Sequence, residues 1–321
     1  MPRNKKAKSK QRPLPTVAVI GYGPQGRAIA LNLQDAGFRV IVGLRPRSRS
    51  RTKAWADGIK KVETVARAVV QADLICFAFP DHRHETVFAK SIAPALRPGS
   101  TLWFLHGTSI HFGFVKPPMD CDVILVAPHA PGDAVRREYL GRWSLSGFYG
   151  VHQNFSGRAV WTARLLARGI GLQRKNLLKT TFEHEAVGDL FGEQVVLCGG
   201  LAALIQGGFQ TLVAQGWKPE HAWLEVAYQL DLIVDLIKER GITGMLRRIS
   251  PAARFGSLEA GPKIVDRGTR RRMKQILADI RSGRFAWRLR ALDDEKLRAV
   301  DRALVKLSDP HLERAARKFR R

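Results

Sequence analysis

The sequence is poor in cysteine, in long hydrophobic runs and in acidic side chains. Its three cysteines, Cys76, Cys121 and Cys198, lie far apart with no CxxC spacing, which argues against a disulfide framework and a thiolate zinc site. No run of 18 or more apolar residues occurs, and the chain does not open on a secretory leader. We therefore expect a soluble, cytoplasmic protein with no membrane span.

Basic residues outnumber acidic ones along the whole chain. The 321 residues include 54 Lys and Arg against 28 Asp and Glu, for a formal net charge of +26. Residues 1–12 carry +6 and residues 311–321 carry +4, so most of the excess lies between the two ends. This charge favours polyanions through sequence-independent phosphate contacts, but it equally suits an anionic substrate or solubility alone.

The apolar segments predict two domains of different class. Residues 1–15 form a basic arm without apolar periodicity, which we expect to be disordered; a transit peptide is the less favoured alternative. Residues 16–180 alternate short apolar strands with helical segments, which predicts a Rossmann domain with a doubly wound, mainly parallel α/β sheet. Residues 181–305 show amphipathic helical patterns alone and predict an all-α domain, and we expect residues 306–321 to be a basic tail.

A glycine-rich turn follows the first predicted strand. The strand TVAVI runs into GYGPQG, in which Gly21, Gly23 and Gly26 form a G-x-G-x-x-G motif, and a helix and the strand RVIVGL come next. Such glycines allow a tight turn, close approach of the backbone to a pyrophosphate, and packing of helix on strand. The pattern predicts a dinucleotide site; a glycine turn without a ligand is the alternative.

The residues after the second strand distinguish between the two nicotinamide dinucleotides. An NAD site normally has an acidic residue here for the ribose 2′-hydroxyl, whereas a 2′-phosphate requires cations and hydroxyls. This chain has VGLRPRSRSR, in which Arg45, Ser48 and Ser50 supply one guanidinium and two hydroxyls among further arginines. The loop therefore favours NADP(H) over NAD(H).

A second group of polar residues lies on the predicted helices and at one strand end. Asp189 and Glu193 stand four apart, which places both carboxylates on one helix face, and Glu225 lies on the next long helix with Gln229 one turn on. Paired carboxylates suit a hard cation such as Mg²⁺, although most such pairs are solvated helix faces. His106 follows a strand at the carboxyl edge of the sheet, where open α/β folds bind ligands.

The ordered motifs resemble those of the ketol-acid reductoisomerases of branched-chain amino acid biosynthesis. The resemblance runs from about Val17 to Phe285. It is carried by VAVIGYGPQGRAIALNL, VGLRPRSRS, LHGTSIHFG, VAPHAPGDAVRREY, GDLFGEQVVLCGG, GPKIV and ILADIRSGRFA. The short helical half is similar to the class I form, which implies a knotted helical domain and a homodimer with a shared active site.

The resemblance implies both a reaction and a set of residues. In the family, two Mg²⁺ ions promote alkyl migration in an acetohydroxyacid, and NADPH then reduces the resulting 2-keto acid. By position, Asp189 resembles the carboxylate that bridges the ions, Glu193 a ligand to one, and Glu225 of the partner subunit a ligand to the other. Ser250 resembles the hydroxyl that holds the substrate carboxylate, and His106 the histidine beside nicotinamide and metal. The implied cofactor-binding residues are Gly21, Tyr22, Gly23, Gln25, Gly26, Arg45, Ser48, Ser50, Asp81, His106 and Gly132.

Two departures from the family pattern fall at chemically committed positions. The family motif VAPKGPG has a lysine where this chain has His129, and a second glutamate of the family is Gln229 here. The Gln229 amide leaves the site with one negative charge fewer, and an amide cannot accept a proton as a carboxylate does. We therefore expect one firmly held Mg²⁺ and a weakened second ion. Pro251 and Arg254 also stand where the family has polar or acidic residues.

These observations favour a dimeric, NADP(H)- and Mg²⁺-dependent oxidoreductase that reduces a 2-keto acid or related small carboxylate. His106, His129 and Gln229 are its predicted catalytic positions, and the isomerase step is expected to be impaired. One alternative is a fully competent ketol-acid reductoisomerase that converts acetolactate to 2,3-dihydroxyisovalerate. Another is an inactive relative that binds nucleic acid or another polyanion, for which charge is the sole support.

Overall fold

A computed structural model describes residues 13–142 and 145–319 of the chain. Most of the predicted arm, residues 1–12, lies outside the described residues. The chain divides into two compact units, of which the first ends at Ala186 and the second begins at Val187. The boundary lies beyond the predicted position at residue 180, because Phe182 and Ala186 are buried in the first unit.

The first unit is built on one sheet that contains eight strands in the described residues. The strands are β1 (Thr16–Ile20), β2 (Arg39–Gly43), β3 (Val62–Glu63), β4 (Leu74–Phe77), β5 (Thr101–Phe104), β6 (Asp122–Pro128), β7 (Leu145–Gln153) and β8 (Leu172–Lys179). Their order is β3-β2-β1-β4-β5-β6-β7-β8. The first six strands run parallel; β7 is antiparallel to β6, and β8 is parallel to β7. The six-strand order 3-2-1-4-5-6 is that of the dinucleotide-binding fold, which confirms the predicted Rossmann class.

The central strands are apolar on both faces because helices cover both sides of the sheet. All five residues of β1 and all four of β4 are buried. Successive side chains of β1 alternate between two apolar clusters: Val17 and Val19 lie in one, and Ala18 and Ile20 in the other. The helices of this unit are α1 (Pro24–Asp35), α2 (Ser50–Ala56), α3 (Val65–Val70), α4 (His84–Val87), α5 (Thr108–His111), α6 (Gly132–Leu140) and α7 (Ala159–Gly169).

The second unit is helical throughout its described residues, as the sequence predicts. Its helices are α8 (Phe182–Gly192, which starts in the first unit), α9 (Gly199–Ala214), α10 (Pro219–Trp223), α11 (Leu230–Arg248), α12 (Pro251–Ile264), α13 (Arg267–Arg281), α14 (Arg284–Arg290), α15 (Asp294–Leu307) and α16 (Pro310–Lys318). Turns of π-helix at Glu193–Leu197 and Leu224–Tyr228 join α8 to α9 and α10 to α11. The predicted knot stays a prediction.

Within the predicted basic tail at 306–321, residues 310–318 form α16. The carboxylate of Asp309 caps this helix by accepting the backbone N–H groups of His311 and Leu312. Ala315 is buried, and Leu312 packs against the small core around Phe209. The sequence did not predict this helix because most of its residues are basic or polar and exposed, and its apolar residues form only a narrow stripe.

The helices of the second unit expose much of their apolar surface. Leu197, Leu204, Phe255 and Leu258 are each more than half exposed. The helical stretch Phe182–Ala214 is long and apolar enough to cross a membrane on length and composition, and 11% of its most apolar window is buried. A soluble helix passes the same test, and the predicted absence of a membrane span stays a prediction.

Candidate active site

The three motif glycines have three different structural reasons to lack a side chain. Gly21 adopts φ +100°, and a Cβ there would lie 2.3 Å from the carbonyl oxygen of Ala78 on the neighbouring strand. A Cβ on Gly26 would lie 2.6 Å from the carbonyl oxygen of Gly21, so helix and turn pack directly together. Gly23 has no atom within 4 Å of its Cβ position, so the space in front of α1 is open to a ligand.

Gly132 and Gln25 support this loop in different ways. A Cβ on Gly132, the first residue of α6, would lie 2.2 Å from the carbonyl carbon of Pro24 and 2.3 Å from the backbone nitrogen of Gln25. The structure therefore gives Gly132 a packing role beneath the loop. Gln25 lines a cavity that is also lined by His106.

A cavity of about 320 Å³ at the carboxyl ends of β1, β2 and β4 brings most of the predicted coenzyme residues together. Its lining includes the predicted Gly21, Tyr22, Gly23, Arg45, Ser48 and Ser50. Phe79, Pro80 and Arg83 complete the wall on the β4 side. The glycine turn and the hydroxyl-bearing loop thus face one space, as binding of a dinucleotide with a 2′-phosphate requires.

Arg51 holds the hydroxyl-bearing loop in place. Its guanidinium donates to the carbonyl oxygens of Arg45 at 3.2 Å, Leu44 at 3.3 Å and Glu63 at 3.0 Å. In the sequence, Arg51 is one of the further arginines of this loop. The contacts show that it also joins the end of β2 to the end of β3, so the loop carrying Ser48 and Ser50 has a fixed base.

Tyr22, inside the glycine motif, is tied to the end of α2 through Asp57. The phenol donates to Asp57 Oδ2 at 3.0 Å, and Arg27 donates to both carboxylate oxygens of Asp57 at 2.7 Å. Burial and the Asp57 carboxylate raise the pKa of Tyr22, and the hydrogen bonds from Arg27 lower the pKa of Asp57. This charged pair clamps the glycine turn to the helix that follows the 2′-phosphate loop.

A second cavity, of about 300 Å³, continues from the first along the sheet edge. It shares Gly23, Phe79 and Pro80 with the first cavity and adds the predicted residues Gln25, Asp81 and His106. Leu105 and His84 also line it. The continuity of the two cavities suits a dinucleotide whose 2′-phosphate lies near Arg45 and whose nicotinamide lies near His106.

His106 is oriented by a buried carboxylate that the sequence analysis missed. Glu185 is 4% exposed, and its Oε2 lies 2.9 Å from His106 Nδ1 and accepts the backbone N–H of Gly107 at 2.5 Å. A carboxylate accepts hydrogen bonds only, so Nδ1 of His106 carries a proton and donates it to Glu185, which fixes the orientation of the ring. One signal in the sequence could have indicated this role: Glu185 is an acidic residue between Phe182 and Ala186 on the apolar face of α8.

His84 is a neutral, structural neighbour of this site. Its Nε2 lies 2.8 Å from the carbonyl oxygen of Phe79 and its Nδ1 lies 2.7 Å from Ser109 Oγ. The carbonyl fixes the proton on Nε2, so Nδ1 accepts from the serine hydroxyl. Burial lowers the pKa of His84. The ring therefore anchors the Phe79 backbone between the two cavities.

Removing the Glu185 carboxylate is expected to slow catalysis with little change in coenzyme affinity. Hydrogen bonds to a charged group contribute about 1.5 to 3 kcal/mol, so Glu185→Ala should lower kcat roughly 10- to 100-fold. Glu185→Gln, which keeps an acceptor, should lose less. Glu183→Gln, an exposed change on the same helix, is the matched control and should leave kcat unchanged. A Glu185→Ala variant with normal kcat would show that the carboxylate does not position His106.

The predicted metal ligands lie on exposed helix surface in the second unit. Asp189 is on α8, Glu193 begins the first π-helical turn, and Glu225 is in the second; all three are exposed. Within residues 13–142 and 145–319, no group of three His, Cys, Asp or Glu side chains converges to hold a metal ion. The oxygen donors at Asp189 and Glu193 suit Mg²⁺ in kind, but one chain supplies an incomplete set.

The remaining predicted site residues have local partners. His129 ends up exposed just after β6, with its ring edge-on to Phe148 at 4.3 Å between centroids. Gln229 Nε2 donates to the carbonyl oxygen of Leu224 at 3.2 Å, so its amide is turned back along its own helix. Ser250 caps α12, where its Oγ accepts the backbone N–H of Ala253 at 3.1 Å. The serine hydroxyl hydrogen remains to be donated to a substrate oxygen.

Two family models match the chain along nearly its whole length. Residues 14–176 match the acetohydroxy acid isomeroreductase NADPH-binding domain, and residues 182–321 match the ketol-acid reductoisomerase C-terminal domain. The junction between the two matches falls close to the boundary between the two structural units.

Individual relatives agree with the family models. The chain is 48% identical over 271 residues to a ketol-acid reductoisomerase (NADP(+)) of Pyrobaculum arsenaticum, covering 84% of this chain and 82% of the relative. It is 49% identical over 272 residues to the protein of that name from Xanthomonas campestris pv. campestris, covering 84% and 81%. A solved NADH-preferring ketol-acid reductoisomerase from an uncultured archean superposes with a TM-score of 0.90 at 34% identity, covering 95% of this chain and 93% of that one. The chain therefore belongs to the ketol-acid reductoisomerase family of oxidoreductases, with an NADPH-binding domain at residues 14–176.

Proposed function

We propose that this family member uses NADPH and Mg²⁺ to reduce a 2-keto acid or related small carboxylate, and that its alkyl-rearrangement step is impaired. The observation that carries the proposal is the pair of continuous cavities. They join the glycine turn and the Arg45 loop at one end to the His106–Glu185 pair at the other. Hydride transfer requires a bound nicotinamide beside a group that acts on the carbonyl oxygen, and these cavities provide both positions.

The 2′-phosphate end of the coenzyme is proposed to bind Arg45, Ser48 and Ser50. These residues line one cavity, and the Arg51 contacts hold their loop in position. The relatives from Pyrobaculum and Xanthomonas carry NADP(+) in their names, whereas the archean structure is described as NADH-preferring. Coenzyme choice therefore varies among similar proteins, and the loop residues are the place to test it in this one.

Arg45→Ala is expected to reduce NADPH selectivity. The loss of a charge-assisted contact to phosphate, about 1.5 to 3 kcal/mol, should weaken NADPH binding roughly 10- to 100-fold and leave NADH binding almost unchanged. Arg47→Ala removes the same charge from an exposed residue that does not line the cavity and is the control. Calorimetric titration with both coenzymes measures the effect. Equal weakening by the two variants would mean that general positive charge, and no specific contact, selects the coenzyme.

His106 and Glu185 are proposed to manage the proton that accompanies hydride transfer. Glu185 keeps the Nδ1 proton of His106 in place and holds the ring in the wall of the cavity, where we propose that it exchanges a proton with the substrate. Because Glu185 also accepts the N–H of Gly107, the histidine and the backbone that carries it are fixed together. The aromatic ring of the partly buried Phe79, which stacks on the buried Phe77, forms an apolar wall at this end of the cavity.

Asp189 and Glu193 are proposed to hold Mg²⁺, with Glu225 supplied by the partner subunit. A bound Mg²⁺ polarises the substrate carbonyl as a Lewis acid. Gln229 contributes no negative charge where the family motif has a second glutamate, so a second ion would be bound more weakly. Reduction needs one polarised carbonyl, but alkyl migration also needs a deprotonated neighbouring hydroxyl. His129 and Gln229 are therefore expected to weaken rearrangement more than reduction.

The exposed apolar helices support a homodimer through the second unit, with the knotted arrangement that the family resemblance implies. Large apolar patches on a protein surface mark interfaces, and this unit exposes Leu197 on a π-helical turn, Leu204 on α9, and both Phe255 and Leu258 on α12. We propose that a second copy also supplies Glu225 to the metal site, since no three ligand side chains come together within the described residues of one chain. Sedimentation of the purified protein without detergent should give a dimer or a multiple of it. We also propose a cytoplasmic location, which is consistent with a protein that remains soluble without detergent.

The activity is tested by following NADPH oxidation with 3-hydroxy-3-methyl-2-oxobutanoate as substrate. We expect turnover that requires Mg²⁺ and is abolished by EDTA. The absence of any NADPH oxidation, with correctly folded dimer and saturating Mg²⁺, would overturn the proposed reaction.

A fully competent reductoisomerase is the second candidate. It is favoured by the identity of 48% and 49% to relatives named for the complete reaction. It predicts that acetolactate is turned over as fast as the 2-keto acid, which the measurement at the end of the Discussion decides.

A further inference from the structure

A cavity at the far edge of the sheet collects arginines that the proposed reaction does not use. It has a volume of about 680 Å³ and lies between β7, β8 and α7. Its cationic lining is Arg164 and Arg168 from α7 and Arg174 from β8, and none of its described lining residues is acidic. The coenzyme loop follows β2, six strand spacings away, or roughly 29 Å at about 4.8 Å per strand.

One of the cations of this cavity is held in position by an aromatic residue. Arg164 donates to the hydroxyl of the buried Tyr149 at 2.6 Å, and its guanidinium carbon lies 5.0 Å from the centre of that ring. These contacts restrict the Arg164 side chain before any ligand arrives, which reduces the entropy lost on binding. Trp161, half exposed in the cavity wall, has the guanidinium of Arg158 over its ring at 4.7 Å, although Arg158 itself does not line the cavity.

The arrangement of these charges indicates an anionic ligand. Arg164 and Arg168 stand four apart on one helix face, where like charges repel, and Arg174 faces the same space from β8. A bound anion would relieve the repulsion between these exposed guanidinium groups. Guanidinium groups bind phosphate through paired hydrogen bonds.

The cavity is larger than one phosphate needs, and its other walls are apolar. Trp161, Val160 and Leu177 line it beside the arginines. A flat indole contacts the face of an aromatic base, and base–aromatic stacking is a common element of nucleotide recognition. A volume of this size lies within the usual range for small-molecule sites.

We propose that this cavity is a second nucleotide site, in which Arg164, Arg168 and Arg174 hold the phosphates and Trp161 contacts the base. The site goes beyond the proposed reaction, because its residues belong to the opposite edge of the sheet from the coenzyme loop. Such a site would also give a function to some of the basic residues behind the net charge of +26.

The test is titration of the full-length protein with ADP by calorimetry at saturating NADPH, so that the coenzyme site is filled. We expect one ADP bound per chain, with at least tenfold weaker binding by Arg168→Glu and by Arg174→Glu. Arg39→Glu makes the same change at an exposed position on β2 and should bind ADP as the unchanged protein does. Unaltered NADPH affinity in all three variants shows that they are folded.

Two further measurements separate a nucleotide site from a general polyanion site. Trp161→Ala should weaken ADP binding while leaving the weaker binding of inorganic tripolyphosphate unchanged. No ADP binding at saturating NADPH, or equal affinity in the arginine variants and the Arg39→Glu control, would overturn the proposal. So would a single-stranded oligonucleotide that binds through these arginines when ADP does not.

Discussion

Asp189→Asn is expected to lower the Mg²⁺-dependent turnover of a 2-keto acid by roughly 10³-fold, equivalent to about 4 kcal/mol of transition-state stabilisation. In the proposed site this carboxylate would help to hold Mg²⁺, and an amide would carry no negative charge to bind the ion. The large effect requires that the ion polarise the reacting carbonyl. NADPH binding, which involves the other structural unit, should be unchanged.

The matched control for this variant is Asp235→Asn. Asp235 lies on α11 of the same unit and is 74% exposed, with Lys238 at 3.9 Å as its partner. It removes the same charge, so a general loss of negative potential would affect both variants equally. The direct readout is Mg²⁺ affinity, measured by calorimetry with the purified dimer. Wild-type Mg²⁺ affinity in Asp189→Asn would remove this residue from the metal site.

The double variant Gln229→Glu with His129→Lys is expected to gain rearrangement activity. Restoring a carboxylate and an ammonium at the two departures should raise acetolactate turnover by roughly 30- to 100-fold, corresponding to about 2 to 3 kcal/mol. Direct reduction of 3-hydroxy-3-methyl-2-oxobutanoate should change little, because it needs only the firmly held ion. In the present structure the Gln229 amide bonds to its own helix, so the glutamate replaces one weak local contact.

The single variants identify which departure matters. Gln229→Glu alone should tighten binding of the second Mg²⁺, seen as a second event in a calorimetric titration. His129→Lys alone should raise acetolactate turnover by a smaller factor than the double variant, because it restores only the ammonium group of the family motif. No gain of acetolactate turnover in the double variant would place the impairment elsewhere, for example at Pro251 and Arg254.

The dinucleotide half of the site was predictable because its requirements are local. A strand, a glycine turn and a helix are adjacent in the chain, and Gly21, Gly23 and Arg45 are placed by that short stretch alone. The apolar runs of β4, β5 and β6 were equally clear, because strands buried on both faces are apolar throughout. Strands β7 and β8 were missed, since glycine and charged residues interrupt their apolar pattern.

The supporting contacts were not predictable, because they join residues distant in sequence. Glu185 reaches His106 across 79 positions, and Asp57 reaches Tyr22 across 35. A single sequence shows no reason for either pairing. The predicted metal ligands could not be placed from the sequence for another reason: they lie on exposed helix surface, and within the described residues no group of three His, Cys, Asp or Glu side chains comes together.

The most direct test of the account is the ratio of two turnover rates measured on the unaltered protein with NADPH and Mg²⁺. One substrate is 2-acetolactate, which must rearrange before it is reduced, and the other is 3-hydroxy-3-methyl-2-oxobutanoate, which is reduced directly. The account predicts that acetolactate is consumed at least about tenfold more slowly, which corresponds to about 1.4 kcal/mol added to the rearrangement barrier. Equal rates on the two substrates would contradict it and identify a fully competent reductoisomerase.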